Sequence, residues 1–296
     1  MEKIIIFGES IWDLFEDGSK RLGGSGLNVA WHLYGLGVAS EYISRVGNDR
    51  NGIDILELVR EWGLSTKLIQ MDADHPTAYL QVIVDEKGGH KFPSPPEHAL
   101  DHITFKPSWL DFPVQSLMYH GTYMLRHEVT RNSVAAMKKR GLKVFMDINL
   151  RENYWSQELL THWIRGVGYL KLSDQELKLW QPGLQTDFDG EVEFLQSYMK
   201  TNRIEHVLYT LGPQGSVVLK GHDVVMQRPT GEIKINNTVG AGDAYCAGFM
   251  YGIMKGHALD MCALWGTKLA EKICTIDSAT SHQKSFYQDL IKEMQA

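Results

Sequence analysis

Asn237-Thr238-Val239-Gly240-Ala241-Gly242-Asp243-Ala244-Tyr245-Cys246-Ala247-Gly248 joins two closely spaced glycines and a carboxylate to the start of an apolar helical pattern. Gly240 and Gly242 lack a Cβ, so the main chain there is free to turn sharply and a ligand can approach it closely. Ala247, Met250, Tyr251 and Met254 then recur at helical spacing, which predicts a buried helix over 244–255. The N–H groups around 241–243 fall at its N-terminus, where an anion is favoured. Asp243 adds a carboxylate among those donors. It can cap the helix, or it can take a proton from a hydroxyl while the N–H groups hold a phosphoryl group.

The rest of the chain supports a large α/β domain. Apolar runs at 3–8, 41–46, 115–119, 143–147, 169–172 and 206–211 alternate with helical patterns, including 26–37 and 52–62. This alternation predicts a mostly parallel, doubly wound sheet. Two stretches break it. Residues 15–22 read as two short strands about an Asp17-Gly18 turn, and 66–71, 78–84 and 90–92 read as strands with no helix between them and a turn at 86–89. Together they predict a small β appendage, or lid, formed from about 12–22 and 66–95 of a single domain spanning 1–296. A further β-rich patch occupies 215–226, and helices run from the glycine loop to the C-terminus.

Composition narrows the partners. The 296 residues carry a net charge of −6 without a Lys/Arg cluster, which argues against nucleic acid. No run reaches the length of a membrane span, and Ile4-Ile5-Ile6-Phe7, followed at once by Gly8-Glu9, reads as a buried first strand and not a signal peptide. Cys246, Cys262 and Cys274 are few and widely spaced, which points to a reducing cytoplasm. The twelve histidines show no ligand-type spacing.

Ligands of doubly wound sheets bind beyond the carboxyl ends of the strands. The polar residues there are Asp13, the Gly23-Gly24-Ser25-Gly26-Leu27-Asn28 segment, Asp147-Ile148-Asn149-Leu150-Arg151, Glu176, and Thr210 to Gly215. Each has an ordinary reading as a turn former or solvated charge, but all fall at one end of the sheet. Common nucleotide and hydrolase motifs are missing. There is no G-x-x-x-x-G-K-[ST] loop, neither glycine pair continues as a dinucleotide fingerprint, Arg131 stands where a zinc-protease helix needs histidine, and no G-x-S-x-G elbow occurs.

The segment Gly23 to Ala30, with Gly37 and Gly47 downstream, and the segment Thr238 to Tyr245 resemble the two signatures of the ribokinase-like (PfkB) family of sugar kinases. Val46-Gly47-Asn48-Asp49-Arg50-Asn51-Gly52 resembles the G-x-D-x-x-G turn of that family. The resemblance covers nearly the whole chain and implies an α/β core with a small β lid. Gly8-Glu9-Ser10-Ile11-Trp12-Asp13, Gly121 to Arg126, the Asp147 to Arg151 segment with Trp155, and Lys171 to Glu176 are similar to fructokinases. Keto-deoxy-gluconate kinases share some of these features, and ribokinases and nucleoside kinases belong to the same family. A sugar-sensing homologue without catalysis is the reading from another class, and the complete glycine loop with Asp243 speaks against it.

By this resemblance, ATP and Mg²⁺ are expected with a small sugar, most simply fructose. Asp13, Gly24 and Asn28 would hold sugar hydroxyls, with Arg151 near phosphate or a substrate oxygen. Asp243 would be the general base, and the N–H groups of Gly240, Ala241 and Gly242 would face the transferring phosphoryl group. Thr210, Gly212 and Gly215 would shape the nucleotide side, and Glu176 would organise Mg²⁺ through water. Trp12, Tyr79 and Phe92 would close over the sugar, and the lid would pair two subunits into a homodimer. Asn237 replaces the aspartate usual before the threonine, which implies at most a weak dependence on K⁺. Ser25-Gly26 stands where fructokinases often have Ala-Pro.

Overall fold

The computed structural model describes residues 3–15, 17–81, 83–84, 90–91, 97–106, 113, 116–151 and 154–295. The turn at 86–89 and Phe92 lie outside the described residues. The organising strand is β1 (Ile4–Phe7), an Ile-Ile-Ile-Phe run with all four side chains buried. Side chains alternate along a strand. Ile4 and Ile6 accordingly enter one hydrophobic cluster and Ile5 and Phe7 the other, so both faces of the strand are covered.

Around β1 runs a nine-stranded sheet. On one side lie β4 (Ser40–Gly47) and then β5 (Ile69–Asp72), on the other β9 (Leu117–Gly121), β10 (Lys143–Asp147), β11 (Tyr169–Ser173) and β12 (His206–Thr210), all parallel. The antiparallel strands β13 (Ser216–Lys220) and β14 (Asp223–Gln227) extend it at the far edge. The strand order reverses beside β1, which opens the switch-point crevice at the carboxyl ends. One face is covered by α1 (Ser25–Gly35), α2 (Arg50–Trp62), α7 (Ala241–Met254), α8 (Leu259–Cys274) and α9 (Lys284–Gln295). The other carries α3 (Glu128–Lys139), α4 (Gln157–Ile164), α5 (Asp174–Trp180) and α6 (Phe188–Asn202). No helix among the described residues is long and apolar enough to cross a membrane.

A separate three-stranded sheet has the order β3 (Lys20–Gly23), β2 (Ile11–Leu14), β6 (Tyr79–Gln81). A two-stranded ribbon pairs β7 (Ile83–Val84) with β8 (His90–Lys91). Two expectations change here. Strand β5 pairs in parallel with β4 and belongs to the large sheet, so the appendage begins beyond Asp72. Trp12 is buried with its indole N–H donated to the Asn51 carbonyl at 3.0 Å, on the α2 side, so it does not cover the crevice. The alternation of β2 gives the crevice to its neighbour Asp13 instead.

The C-terminal helix is integral to the α1 face. Tyr287 is fully buried against Gly35 and His32, its hydroxyl 2.9 Å from His32 Nδ1. Burial pushes the His32 imidazole down to about 3, so it stays neutral. Trp31 stacks on Trp62 at 4.9 Å and donates its indole N–H to the Ser281 carbonyl. Truncating a buried aromatic of this kind costs about 3–5 kcal/mol. Tyr287→Ala is expected to lower the unfolding free energy from denaturant titration by that amount, and a loss below about 1 kcal/mol would show that α9 is a dispensable tail.

Candidate active site

Helix α7 begins where the sequence places it. Gly240 is its N-cap at φ 79°, and a Cβ there would lie 2.6 Å from the Ala279 side chain, so both conformation and space demand glycine. Asp243 sits in the first turn. Its Oδ2 accepts from Asn28 Nδ2 at 2.8 Å, and its Oδ1 accepts from the Ser25 hydroxyl. Both donors come from the first turn of α1, so the two glycine-rich segments meet at one carboxylate. Burial pushes the Asp243 carboxyl upward, while Ser25, Asn28, Arg151 and Lys171 restrain the rise.

The segment before α1 is shaped to deliver those donors. Gly24 has φ 110°, and a Cβ there would come within 2.3 Å of the Glu9 carbonyl. The Glu9 side chain, buried in the crevice, accepts the Ser25 N–H at 3.0 Å and so caps α1. Burial raises its carboxyl above the usual range. The Ser25 hydroxyl also lies 3.1 Å from the Tyr119 hydroxyl and accepts from Asn149 Nδ2 at 2.9 Å. Asn149 holds a left-handed conformation at φ 32°, one that asparagine tolerates better than most residues.

Asp13 faces this crevice from β2. Burial pushes its carboxyl up to about 6, against the pull of Arg151 and Arg21. A desolvated carboxylate of this kind favours any ligand that brings hydroxyl donors. Arg151 acts on Glu9, Asp13 and Asp243 alike, which sets its charge among the three acids.

Beneath α7 lies an ion cluster that sequence reasoning did not assign. Lys171 is buried with its ammonium 3.1 Å from Asp147 and 3.8 Å from Glu176. Burial opposes its charge, but Asp147 and then Glu176 outweigh it and hold it protonated. Burial likewise lifts the Asp147 carboxyl, up to about 7, and the adjacent ammonium only restrains the rise. A Cβ on Gly242 would lie 3.2 Å from Lys171 Nζ, so this ammonium sits directly under the helix N-terminus. Glu176 closes a capping box with Ser173 and accepts the Leu150 N–H at 3.1 Å. Lys171 and these donors outweigh burial and keep its carboxyl low, hence ionised.

On the other side of Gly242 a cleft of about 710 Å³ is lined by Ser173, Thr210, Gly212, Gly215, Thr238 and Glu271 among others. Thr210, Gly212 and Gly215 therefore do gather on one wall. The anion loop differs in one detail from expectation. The Ala241 N–H is donated to the Thr238 carbonyl at 3.2 Å, while the Gly242 and Asp243 N–H groups stand at the helix end. Asn237 also has a contact of its own, its Oδ1 accepting the Val239 N–H at 2.9 Å to close the turn. Sequence reading gave no role to Glu9, Lys171, Ser25, Asp147 or Asn149, although the last three stood among its candidates at the strand ends. For Ser25 the signal was present, as the position that departs from the fructokinase pattern.

Comparison with known proteins bears on the fold and the family. The chain is 26% identical over 275 residues to a fructokinase of Escherichia coli, covering 85% of this chain and 84% of that one. It is 22% identical over 284 residues to a 5-dehydro-2-deoxygluconokinase of Bacillus licheniformis, covering 88% and 83%. Among solved structures, a fructokinase of Vibrio cholerae O395 in fructose, ADP and calcium ion bound form superposes with a TM-score of 0.81 at 24% identity, covering 97% of this chain and 98% of that one. The model of the pfkB family carbohydrate kinases matches residues 2–284, and this chain belongs to that family.

Proposed function

We propose that this sugar kinase transfers the γ-phosphoryl group of ATP to a primary hydroxyl of fructose, with Asp243 as general base. The carrying observation is the meeting of Asp243, Ser25 and Asn28 between the Asp13 crevice and the cleft at Thr210 and Gly215. The crevice on the Asp13 side suits a polyol, since Asp13, Asn28 and Arg151 offer acceptors and donors of fixed direction. Gly24 lets the sugar approach the main chain. Asp243 accepts the proton of the attacking hydroxyl, and its burial-raised basicity serves that role.

The N–H groups of Gly240, Gly242 and Asp243 stabilise charge on the transferring group, with that of Ala241 joining as the Thr238 turn opens. Lys171, under Gly242, adds a full positive charge there. Thr210, Gly212 and Gly215 shape the nucleotide side. Glu176 stays ionised while its oxygens accept from Ser173 and Leu150, a donor set that fits Mg²⁺ held through water and not directly. Bound there, Mg²⁺ supplies charge neutralisation of the phosphates. Asn237 bears no charge and its amide closes a turn, so dependence on K⁺ is weak. The three-stranded sheet closes over the sugar and excludes water. Its open edges suit pairing with a second copy. The free thiols of Cys246, Cys262 and Cys274 suit the cytoplasm.

Three outcomes are expected. In an ADP-release screen of fructose, ribose, keto-deoxy-gluconate, tagatose and adenosine, fructose gives the highest kcat/KM. A clear win for keto-deoxy-gluconate moves the enzyme to that branch, and a win for adenosine rejects sugar as acceptor. Asp243→Asn loses ~10²–10⁴-fold in kcat while ATP and sugar still bind by calorimetry. Retention of more than about a tenth of the rate would reduce Asp243 to a helix cap.

The third outcome concerns Asp13, whose folded pKa of about 6 lies above the ordinary 3.8. Between those values the folded chain keeps a proton that the unfolded chain has lost, so stability falls as pH rises through that window and stays low above it. Asp13→Asn removes this fall. Above pH ~7 the apo variant should be more stable than the parent by ~1–3 kcal/mol, allowing for partial solvent access. Its KM for sugar should rise while ATP affinity is unchanged. A melting curve with the same pH dependence in both proteins would show that Asp13 is not desolvated.

A further inference from the structure

Three histidines distant in sequence gather outside the active site, beside the connection to the small sheet. His75, Glu97 and His102 each offer a ligand atom within 4.8 Å of the others. His75 follows β5 on the way to β6, and Glu97 and His102 flank the short helix (Ala99–His102) by which the chain returns. The His75 and His102 rings stack 3.8 Å apart, and His102 Nε2 lies 2.9 Å from Glu97 Oε1. Stacked imidazoles repel when both carry a proton, whereas one divalent cation between their nitrogens and the carboxylate satisfies all three.

The surroundings orient His75 as a ligand. Its Nδ1 is 3.2 Å from Oδ1 of the buried Asp72. The Asp72 carboxylate also accepts the main-chain N–H groups of Asp74 and His75 at 2.9 Å and the Arg45 guanidinium at 2.7 Å. An ionised carboxylate only accepts, so Nδ1 carries the proton and Nε2 keeps the lone pair. Carboxylates fix metal-binding imidazoles in this way. His127 flanks the group, with Nε2 3.8 Å from Glu97. Its Nδ1 accepts the Val129 N–H at the start of α3, so its Nε2 carries the proton and offers no lone pair to an ion.

We propose that His75, Glu97 and His102 bind a borderline divalent transition ion, Zn²⁺ being the best match, and that the bound ion restrains movement of the small sheet. Two imidazoles and one carboxylate suit zinc, with water completing four-coordination, and suit Mg²⁺ or Ca²⁺ poorly. The restraint follows from position. The outgoing and returning segments are already joined by the Ala99 N–H to Pro76 carbonyl bond at 2.9 Å and by Arg45, which donates to Asp72 and to the His102 carbonyl. An ion shared by His75 and His102 cross-links the same two segments where the small sheet would swing. The restraint rests on the reading of that sheet as a closing lid, and ion binding does not.

The test uses the full chain, stripped with chelator and titrated with ZnCl₂ by calorimetry beside His75→Gln/His102→Gln and, separately, Glu97→Gln at an exposed position. Expected is one ion per wild-type chain at micromolar affinity or better, at least ~10-fold weaker in each variant. Melting temperature and zinc-free turnover should be unchanged. Equal affinity in all three proteins, or wild-type binding only at millimolar zinc, overturns the site. In a second measurement, sugar phosphorylation in excess Mg-ATP is followed with and without one equivalent of zinc. Wild-type kcat is expected to fall by about half or more and the variants to be unaffected. An unchanged wild-type rate with zinc bound overturns the restraint, and does so independently of which sugar is the substrate.

Discussion

A single half-buried carboxylate holds the two halves of this chain in register. Asp243 is largely shielded from solvent, and an unpaired charge there would be costly. Its donors, Ser25 and Asn28, come from a helix 218 and 215 residues away in sequence. The N-terminal turns of α1 and α7 must therefore lie side by side, and their positive ends both favour the charge. Packing on a common face of the sheet makes that possible. Trp31, Trp62 and Tyr287 brace α1 from behind, away from the crevice, so stability and chemistry draw on opposite ends of one helix.

The same logic explains the charges below. Five acids, Glu9, Asp13, Asp147, Glu176 and Asp243, crowd the carboxyl ends of the strands. Lys171 lies against the inner pair and Arg151 acts on the outer three. Burial raises the carboxyls of Glu9, Asp13, Asp147 and Asp243, so the cluster is crowded and short of donors at rest. On the function proposed above, sugar hydroxyls would relieve it on one side, and phosphates with their counter-cations would fit the other.

Much of this was legible in the sequence because it is local. The triple isoleucine of β1, the βα alternation and the Gly240-Ala241-Gly242-Asp243 loop each state their structure within a few residues. What escaped depends on partners far along the chain. Thr66 to Met71 reads as a strand, but whether it joins the large or the small sheet depends on pairing with β4. Ile11-Trp12-Asp13-Leu14 alternates, yet alternation alone does not say which face meets the crevice. Lys171 looks unremarkable until neighbouring strands and α5 bring Asp147 and Glu176 against it. His75, His102 and His127 belong to three separate segments, and no ligand spacing could have joined them.

Ser25 has one more implication, for how the protein tells an alcohol from water. Its hydroxyl already occupies Asp243, and is itself fixed by Asn149 and lies against Tyr119. With Asp243 as the base proposed above, that base is engaged at rest with an alcohol anchored in a helix and unable to leave. A sugar hydroxyl, oriented by neighbouring contacts, would replace like with like, whereas a lone water would have no such contacts to compensate for giving up Ser25. On that reading, discrimination against hydrolysis begins as a competition between hydroxyl groups.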